Sequence, residues 1–334
     1  MSLNLLVLLF LINLFIYFNF NYISNFFNFF DKPDRKLKKH LKPVSLIGGS
    51  IILVNFIIVL IYSRIFNISD LLIEDNYFIL LLLLSLFFYI IGLFDDIKNL
   101  TPNKKLFIII FYLSIITLIF PEIRIEEVKI SFLNKIYFLN LFYSYIFVVL
   151  CFALLLNAIN MFDGINSQVL IFTLMIFFVF IYKGFMPLFF ISLSICLIML
   201  VILNFQNKVF LGDNGSYLIS GIVGFMFIYQ YKTFDKFIYG DQVFLILTIP
   251  AIDMLRLFIS RILNKKNPFQ GDLNHLHHIV NNFVKNKNLT TIMTTSICFI
   301  PMLFLMMEIQ SYYSLMITIF LYFLILFIIK VKFR

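Results

Sequence analysis

The chain has 334 residues, 62% of them hydrophobic and only 13% charged, with a formal net charge of +9. Soluble domains run at about 45–50% apolar and roughly 25% charged residues, so too little polar surface is present to coat a water-soluble globule. A spanning helix takes about 20 apolar residues, so eleven of them leave only about 110 positions for every loop and exclude a sizeable soluble domain.

Apolar runs predict spans at about 4–28, 46–66, 77–94, 105–120, 137–160, 168–183, 185–203, 216–231, 242–260, 290–307 and 312–330. The expected fold is an all-α polytopic membrane protein of about eleven helices, a single domain over 1–334. The first charge is Asp31, so the first run lacks the basic flank of a cleavable signal and is expected to stay as an anchor. Cys151, Cys196 and Cys298 lie inside apolar runs without paired spacing and are expected to pack as small hydrophobes. Residues 121–136 have room for a small hairpin.

Alternate loops divide the charges unequally. One side holds 19 of the 26 Lys and Arg residues, the other seven, while acids split eight to nine. The positive-inside rule makes the basic side cytoplasmic. The net charge is then a topology signal, with no support for a nucleic-acid partner. All four histidines and the loops at Asp95, Asp163 and Asp213 share that side, which predicts an active-site cleft at the cytoplasmic face.

The first basic loop carries Arg35, Lys36, Lys38, Lys39 and Lys42 ahead of Gly48-Gly49. Lys42 and its neighbours suit an anionic lipid or a diphosphate, or serve only as a topology anchor. Gly92-Leu93-Phe94-Asp95-Asp96 ends the third span. Adjacent carboxylates suit Mg²⁺, which takes one or two carboxylates plus substrate phosphates; alone, the pair reads equally as a solvated helix end.

Asn157 and Asn160 are three apart and share one helix face, which Asp163-Gly164 continues into a turn. Intramembrane polar residues face a bundle interior or a watery cavity, so either interhelical bonding or a site fits them. Phe210-Leu211-Gly212-Asp213-Asn214-Gly215-Ser216 opens the eighth span. Its helix start presents free N–H groups to an anion, and Asp213 is placed to hold a metal or to cap the helix. Ser216, Ser220 and Gly224 read as helix packing. Asp253 and Arg256 read as a structural ion pair.

The longest polar loop ends in His275-Leu276-His277-His278. No Cys or Glu stands at a zinc spacing beside them, and imidazoles instead suit phosphate contacts or proton transfer.

In this order, from Asp31-Lys32-Pro33, His40, Lys42-Pro43 and Gly48-Gly49 through to His278, the pattern resembles the polyprenyl-phosphate N-acetylhexosamine-1-phosphate transferases of glycosyltransferase family 4. The His-Leu-His-His form is similar to the undecaprenyl-phosphate N-acetylglucosamine-1-phosphate branch. The resemblance implies Mg²⁺-dependent exchange, with Mn²⁺ a chemically close substitute. Undecaprenyl phosphate would attack a UDP-N-acetylhexosamine, releasing UMP and starting a lipid-linked cell-surface glycan, in a multi-pass protein of the bacterial inner membrane. Asp95, Asp96 and Asp163 carry over as catalytic residues, and Asp213 with Asp96 as metal ligands. Lys42, Asn157, Asn160, Asn166, Phe210, His275, His277 and His278 carry over as substrate contacts. A homodimer is compatible with this reading.

Two positions depart from the family pattern. Asn166 stands where a second Asp-Gly pair is usual, and Leu273 where an Arg is usual. An Asn amide both accepts and donates, so it suits uracil and, flipped, cytosine; residue 166 is expected to discriminate less than Asp would. The rival within the family is the phospho-N-acetylmuramoyl-pentapeptide transferase. The rival outside it is a transporter or flippase, against which stand carboxylates gathered at one face and no internal repeat.

Overall fold

The computed structural model describes residues 2–31, 43–68, 71, 73–234, 238–268 and 272–332. Lys42, His40 and the other basic residues before it lie outside the described residues. In chain order the elements are α1 (Ser2–Phe18), α2 (Phe20–Phe27), β1 (Phe30–Asp31), β2 (Val44–Ser45), α3 (Gly48–Phe66), α4 (Asp75–Lys98) and α5 (Pro102–Ile119). There follow β3 (Glu127–Ile130), β4 (Lys135–Phe138), α6 (Leu141–Phe162), α7 (Gln168–Tyr182), α8 (Pro187–Phe205) and α9 (Gly212–Thr233). The chain ends with α10 (Gly240–Leu263), α11 (Leu276–Val284), α12 (Lys287–Met306) and α13 (Ser311–Lys332).

Each apolar run read from the sequence is helical, the first as the pair α1–α2 bent by 75°. The count of eleven spans is reached only partly. Among the described residues, eight helices are long and apolar enough to cross a membrane, or nine if the bent pair is one span. The two remaining runs fall short for different reasons. α7 has 15 residues, about 22 Å of helix against a hydrocarbon core of about 30 Å. α9 is long enough at 22 residues, but Gly, Ser, Asn and Asp dilute it.

Burial explains that dilution. Every residue of α9 from Asn214 to Gln230 is buried, so protein surrounds this helix and small residues set how closely it is approached. A side chain on Gly92 of α4 would meet the Asp213 carbonyl at 2.4 Å, and one on Gly49 of α3 would meet Gly215 N at 2.4 Å. Gly221 and Gly224 sit likewise under Phe88 and Phe152. Backbone contact along α4 and α3 thus fixes the start of α9 relative to Asp95 and Asp96.

Among the described residues two small antiparallel strand pairs complete the fold. β3 and β4 pair antiparallel from Glu127–Phe138 to Ile130–Lys135, within the segment expected to form a hairpin. Asp241 of α10 holds that hairpin by accepting from Ser131 N at 2.9 Å and from Ser131 Oγ. β1 and β2 pair beside the loop before α9, where Phe210 N donates to Ser45 O at 2.8 Å. Cys196 and Cys298 are buried and Cys151 is exposed, all with free thiols.

Candidate active site

Helix ends gather the polar residues into one cavity of about 480 Å³. Asp95, Asp96, Asp163, Asn166, Phe210, Asp213 and His278 line it, joined by Asp31, Asn99, Asn204, Leu273, Asn281, Asn282 and Lys287.

Asp96 is committed to α9. Its Oδ1 accepts from Asp213 N at 2.9 Å, and its Oδ2 from Asn214 N at 3.0 Å and Asn214 Nδ2 at 2.8 Å. No side chain of α9's own cap position does this work, so a carboxylate from α4 satisfies the orphan N–H groups and faces the positive end of the helix dipole. Gly212, at φ +74, allows the turn that brings these groups together.

Asp95 and Asp213 share one cation. Lys105 Nζ, one helical turn into α5, donates to Asp95 Oδ2 and stands 3.4 Å from Asp213 Oδ2. Leu100 N fixes the other Asp95 oxygen at 2.8 Å. Asn160 Nδ2 donates to Asp213 Oδ1 at 2.8 Å and reaches Ser216 Oγ at 3.0 Å. Asn160 therefore holds Asp213 without lining the cavity. Asn157 turns away and donates to Ala153 O.

Asp163 differs from these three. Among the described residues its carboxylate has no hydrogen-bond partner. Desolvation, with the Asp213 and Asp96 charges adding, raises it to about 8.

The turn after Asp163 is clipped on both sides. Asn166 Nδ2 donates to Asn204 O at 3.0 Å and Asn207 Oδ1 at 2.7 Å, while Thr291 Oγ1 donates to Asn166 O at 2.8 Å. A backbone carbonyl only accepts, so Asn204 O fixes which way the Asn166 amide points. Both amide hydrogens are used. The two-way amide expected at this position is an acceptor alone.

The histidines divide. His275 Nδ1 bonds Asp253 Oδ2 at 2.8 Å, and Asp253 also accepts from Arg256, Tyr322 and Leu276 N. The expected Asp253–Arg256 pair is present inside this larger network, and His275 belongs to it instead of to the cavity. His277 is 1% exposed with neither ring nitrogen partnered. Burial lowers its pKa, and the neighbouring imidazoles lower it further, so its ring is neutral. His278 alone of the three reaches the cavity.

Asn204, Asn281, Asn282 and Lys287 were not singled out by sequence, and Lys105, in the basic stretch that follows Asp95-Asp96, was given no role there. Asn281 and Asn282 are three and four residues beyond His278, one face of a helix, a spacing that identifies them once α11 is known to start at Leu276. Asn204 carries no such signal, and Lys105, ten residues after Asp95, reaches Asp213 only through packing.

Chemically, the cavity combines hard oxygen donors, the Lys287 ammonium and an aromatic side chain, with Lys105 shared by Asp95 and Asp213 behind its wall. Among the described residues no three His, Cys, Asp or Glu side chains converge as a ready metal cage.

Comparison with known proteins agrees with the motifs. The sequence model of glycosyl transferase family 4 matches residues 78–231, a stretch that holds Asp95, Asp96, Asp163 and Asp213. The chain is 28% identical over 282 residues to an undecaprenyl-phosphate alpha-N-acetylglucosaminyl 1-phosphate transferase of Thermotoga maritima, covering 81% of this chain and 79% of that one. It is 28% identical over 162 residues to a phospho-N-acetylmuramoyl-pentapeptide-transferase of Clostridium beijerinckii, covering 43% of this chain and 49% of that one. These matches bear out the resemblance carried by the motifs.

Proposed function

We propose that this chain transfers an N-acetylhexosamine 1-phosphate from a UDP-sugar to undecaprenyl phosphate, releasing UMP, with GlcNAc-1-phosphate as the group moved. The observation that carries the reading is the Asp95–Lys105–Asp213–Asn160 chain at the mouth of α9. It sets carboxylates and one cation in fixed positions beside a cavity large enough for a nucleotide sugar.

In the reaction an oxygen of the lipid phosphate attacks the β-phosphorus of the donor. A new P–O bond forms there, the bond to the bridging oxygen breaks, and UMP departs as a monoester. Such transfer asks for positioning and charge neutralisation. A phosphate monoester's second pKa is near 6, so the attacking oxygen needs no strong base. Lys105 offsets charge between Asp95 and Asp213, and Asn160 holds Asp213 in register.

Asp163, and Asp213 through the part of its carboxylate that Asn160 and Lys105 leave exposed, are hard oxygen donors that fit Mg²⁺ in its usual manner, with one or two carboxylates and the remainder from substrate and water. The ion would supply charge neutralisation on the diphosphate. The absence of a three-residue cage is compatible with that habit. Phe210, an aromatic side chain in the cavity wall, is the residue assigned to the base.

A second cavity of about 390 Å³ supports a lipid acceptor. It is almost wholly apolar, lined by Phe147, Leu154, Phe227, Leu247 and Met254 among others. Its lining residues Ile159 and Met254 directly precede and follow Asn160 and Asp253 in sequence. An isoprenoid tail lying there would run along α6, where Ile159 stands one helical turn before Asp163.

The test is purified protein with undecaprenyl phosphate, Mg²⁺ and a panel of UDP-sugars, read as UMP release. UMP formed only with the lipid present supports the transfer. Release of UMP from UDP-MurNAc-pentapeptide alone would select the muramoyl-pentapeptide reaction, and no release with any donor would remove the enzyme reading.

A further inference from the structure

The α11–α12 wall of the cavity carries a cation where its own helix disfavours one. α12 starts at Lys287, behind Asn286, whose Oδ1 accepts from Leu289 N at 3.1 Å. That first turn contains no acidic residue, so the ammonium stands at the positive end of the helix dipole without local compensation, an arrangement that weakens a helix. Lys287 lines the cavity, and among the described residues no carboxylate pairs with it.

The rest of the cavity explains what such a charge is for. Asp31, Asp95, Asp96, Asp163 and Asp213 all line it, and Lys287 is the one Lys or Arg among its described lining residues. Lys105 is already drawn between Asp95 and Asp213. Asp96 is matched by α9. A diphosphate entering this space meets acidic walls on one side, and among the described lining residues Lys287 is the ammonium placed to receive it. Asn282 lines the same cavity from α11, adding two amide donors.

We propose that Lys287 binds the diphosphate of the donor, and that α12 carries its unfavourable first-turn charge for this purpose. The assignment rests on the nucleotide-sugar reading above. Lys287 acts on binding of the anion and takes no part in bond exchange.

Donor KM and kcat are measured by UMP release for the full chain, its Lys287→Gln and Lys287→Arg variants, and Lys285→Asn as a charge-removal control two residues away. UDP affinity is measured by calorimetry. Lys287→Gln is expected to raise donor KM about tenfold with kcat little changed, as for loss of a charged hydrogen bond made equally in ground and transition states. UDP affinity should fall by the same factor, and Lys287→Arg should restore both. The melting temperature of Lys287→Gln should equal or exceed the parent's, because a repulsive charge has left the helix start. That stability result separates ligand binding from a merely structural lysine. Unchanged KM and UDP affinity in Lys287→Gln overturn the assignment while leaving the transferase reading intact. A lower melting temperature with reduced kcat at unchanged KM also overturns it. A parent that neither releases UMP nor binds UDP overturns both.

Discussion

A methyl group on Gly164 would stand 1.9 Å from His277 Nε2. The imidazole occupies the space in which any other residue's side chain at 164 would begin, so the ring buttresses the turn that carries Asp163. His277 is also set between its neighbours, parallel to His275 at 5.4 Å and edge-on to His278 at 4.2 Å. Through these contacts the Asp253 network, the three histidines and the Asp163 turn form one packed unit.

Gly164→Ala is therefore expected to overpack this unit, costing about 1–3 kcal/mol and displacing Asp163, with UMP release falling at least tenfold. His277→Ala removes the obstruction. The double variant should recover part of both melting temperature and activity relative to Gly164→Ala. Equal or greater loss in the double variant would show that His277 contributes more than its volume.

The buried neutral ring at 277 also gives a pH dependence. Burial lowers its folded-state pKa below the unfolded value of about 6.5. Below that value the unfolded chain binds a proton that the folded chain refuses. The stability present above pH ~6.5 is then lost as pH falls toward the folded pKa. Thermal melts of the purified protein should show a decline from pH 7 to 5. In His277→Gln, which cannot charge, the decline should be shallower, and parallel melting curves would exclude residue 277 as its source.

The sequence made the spans and most carboxylates legible because each rests on local chemistry. An apolar run has its helix wherever it packs, and Asp95, Asp96, Asp163 and Asp213 each stand at a helix end. Division of labour among them was not legible. Asp96 caps α9 because Gly92 lets backbone approach backbone, and no sequence spacing encodes that approach. Likewise His275, His277 and His278 look equivalent in sequence. One residue of α10, Asp253, draws the first out of the cavity.

Asp213 and Asp253 give contrasting expectations. Asp213 faces the cavity and shares Lys105 with Asp95. Asp213→Asn keeps size and removes charge, so UMP release should fall about 10²–10³-fold, the usual loss for a preorganised electrostatic contact, with the melting temperature close to the parent's. Asp253 accepts from His275, Arg256, Tyr322 and Leu276 N. Its replacement by Asn removes the counter-charge of a half-buried guanidinium and the acceptor of the buried His275 ring, which costs about 1.5–3 kcal/mol for charged hydrogen bonds. Yield and melting temperature should fall further than specific activity. The opposite ranking, stability lost at 213 and activity lost at 253, would reverse the two roles.

The last expectation concerns Asn166. With Nδ2 donating to Asn204 O and Asn207 Oδ1, the side chain offers the cavity only its Oδ1. An acceptor there suits the N3–H of uracil and opposes the N3 lone pair of cytosine, so an Asn held in this way reads a base as a carboxylate would. UMP should outcompete CMP as an inhibitor by about tenfold or more, from the 1–3 kcal/mol cost of an unpaired buried polar group. Asn166→Asp should not sharpen that ratio. It removes both donors and sets a carboxylate oxygen against the Asn204 carbonyl, which, as backbone in α8, cannot turn away. The Asn207 amide is exposed and can rotate to donate, so one of the two contacts is recoverable. The variant should melt lower and turn over more slowly while its CMP-to-UMP ratio stays near the parent's. A ratio that rises several-fold in Asn166→Asp, with melting temperature unchanged, would mean that the parent amide turns freely and that the clip to Asn204 does not hold it.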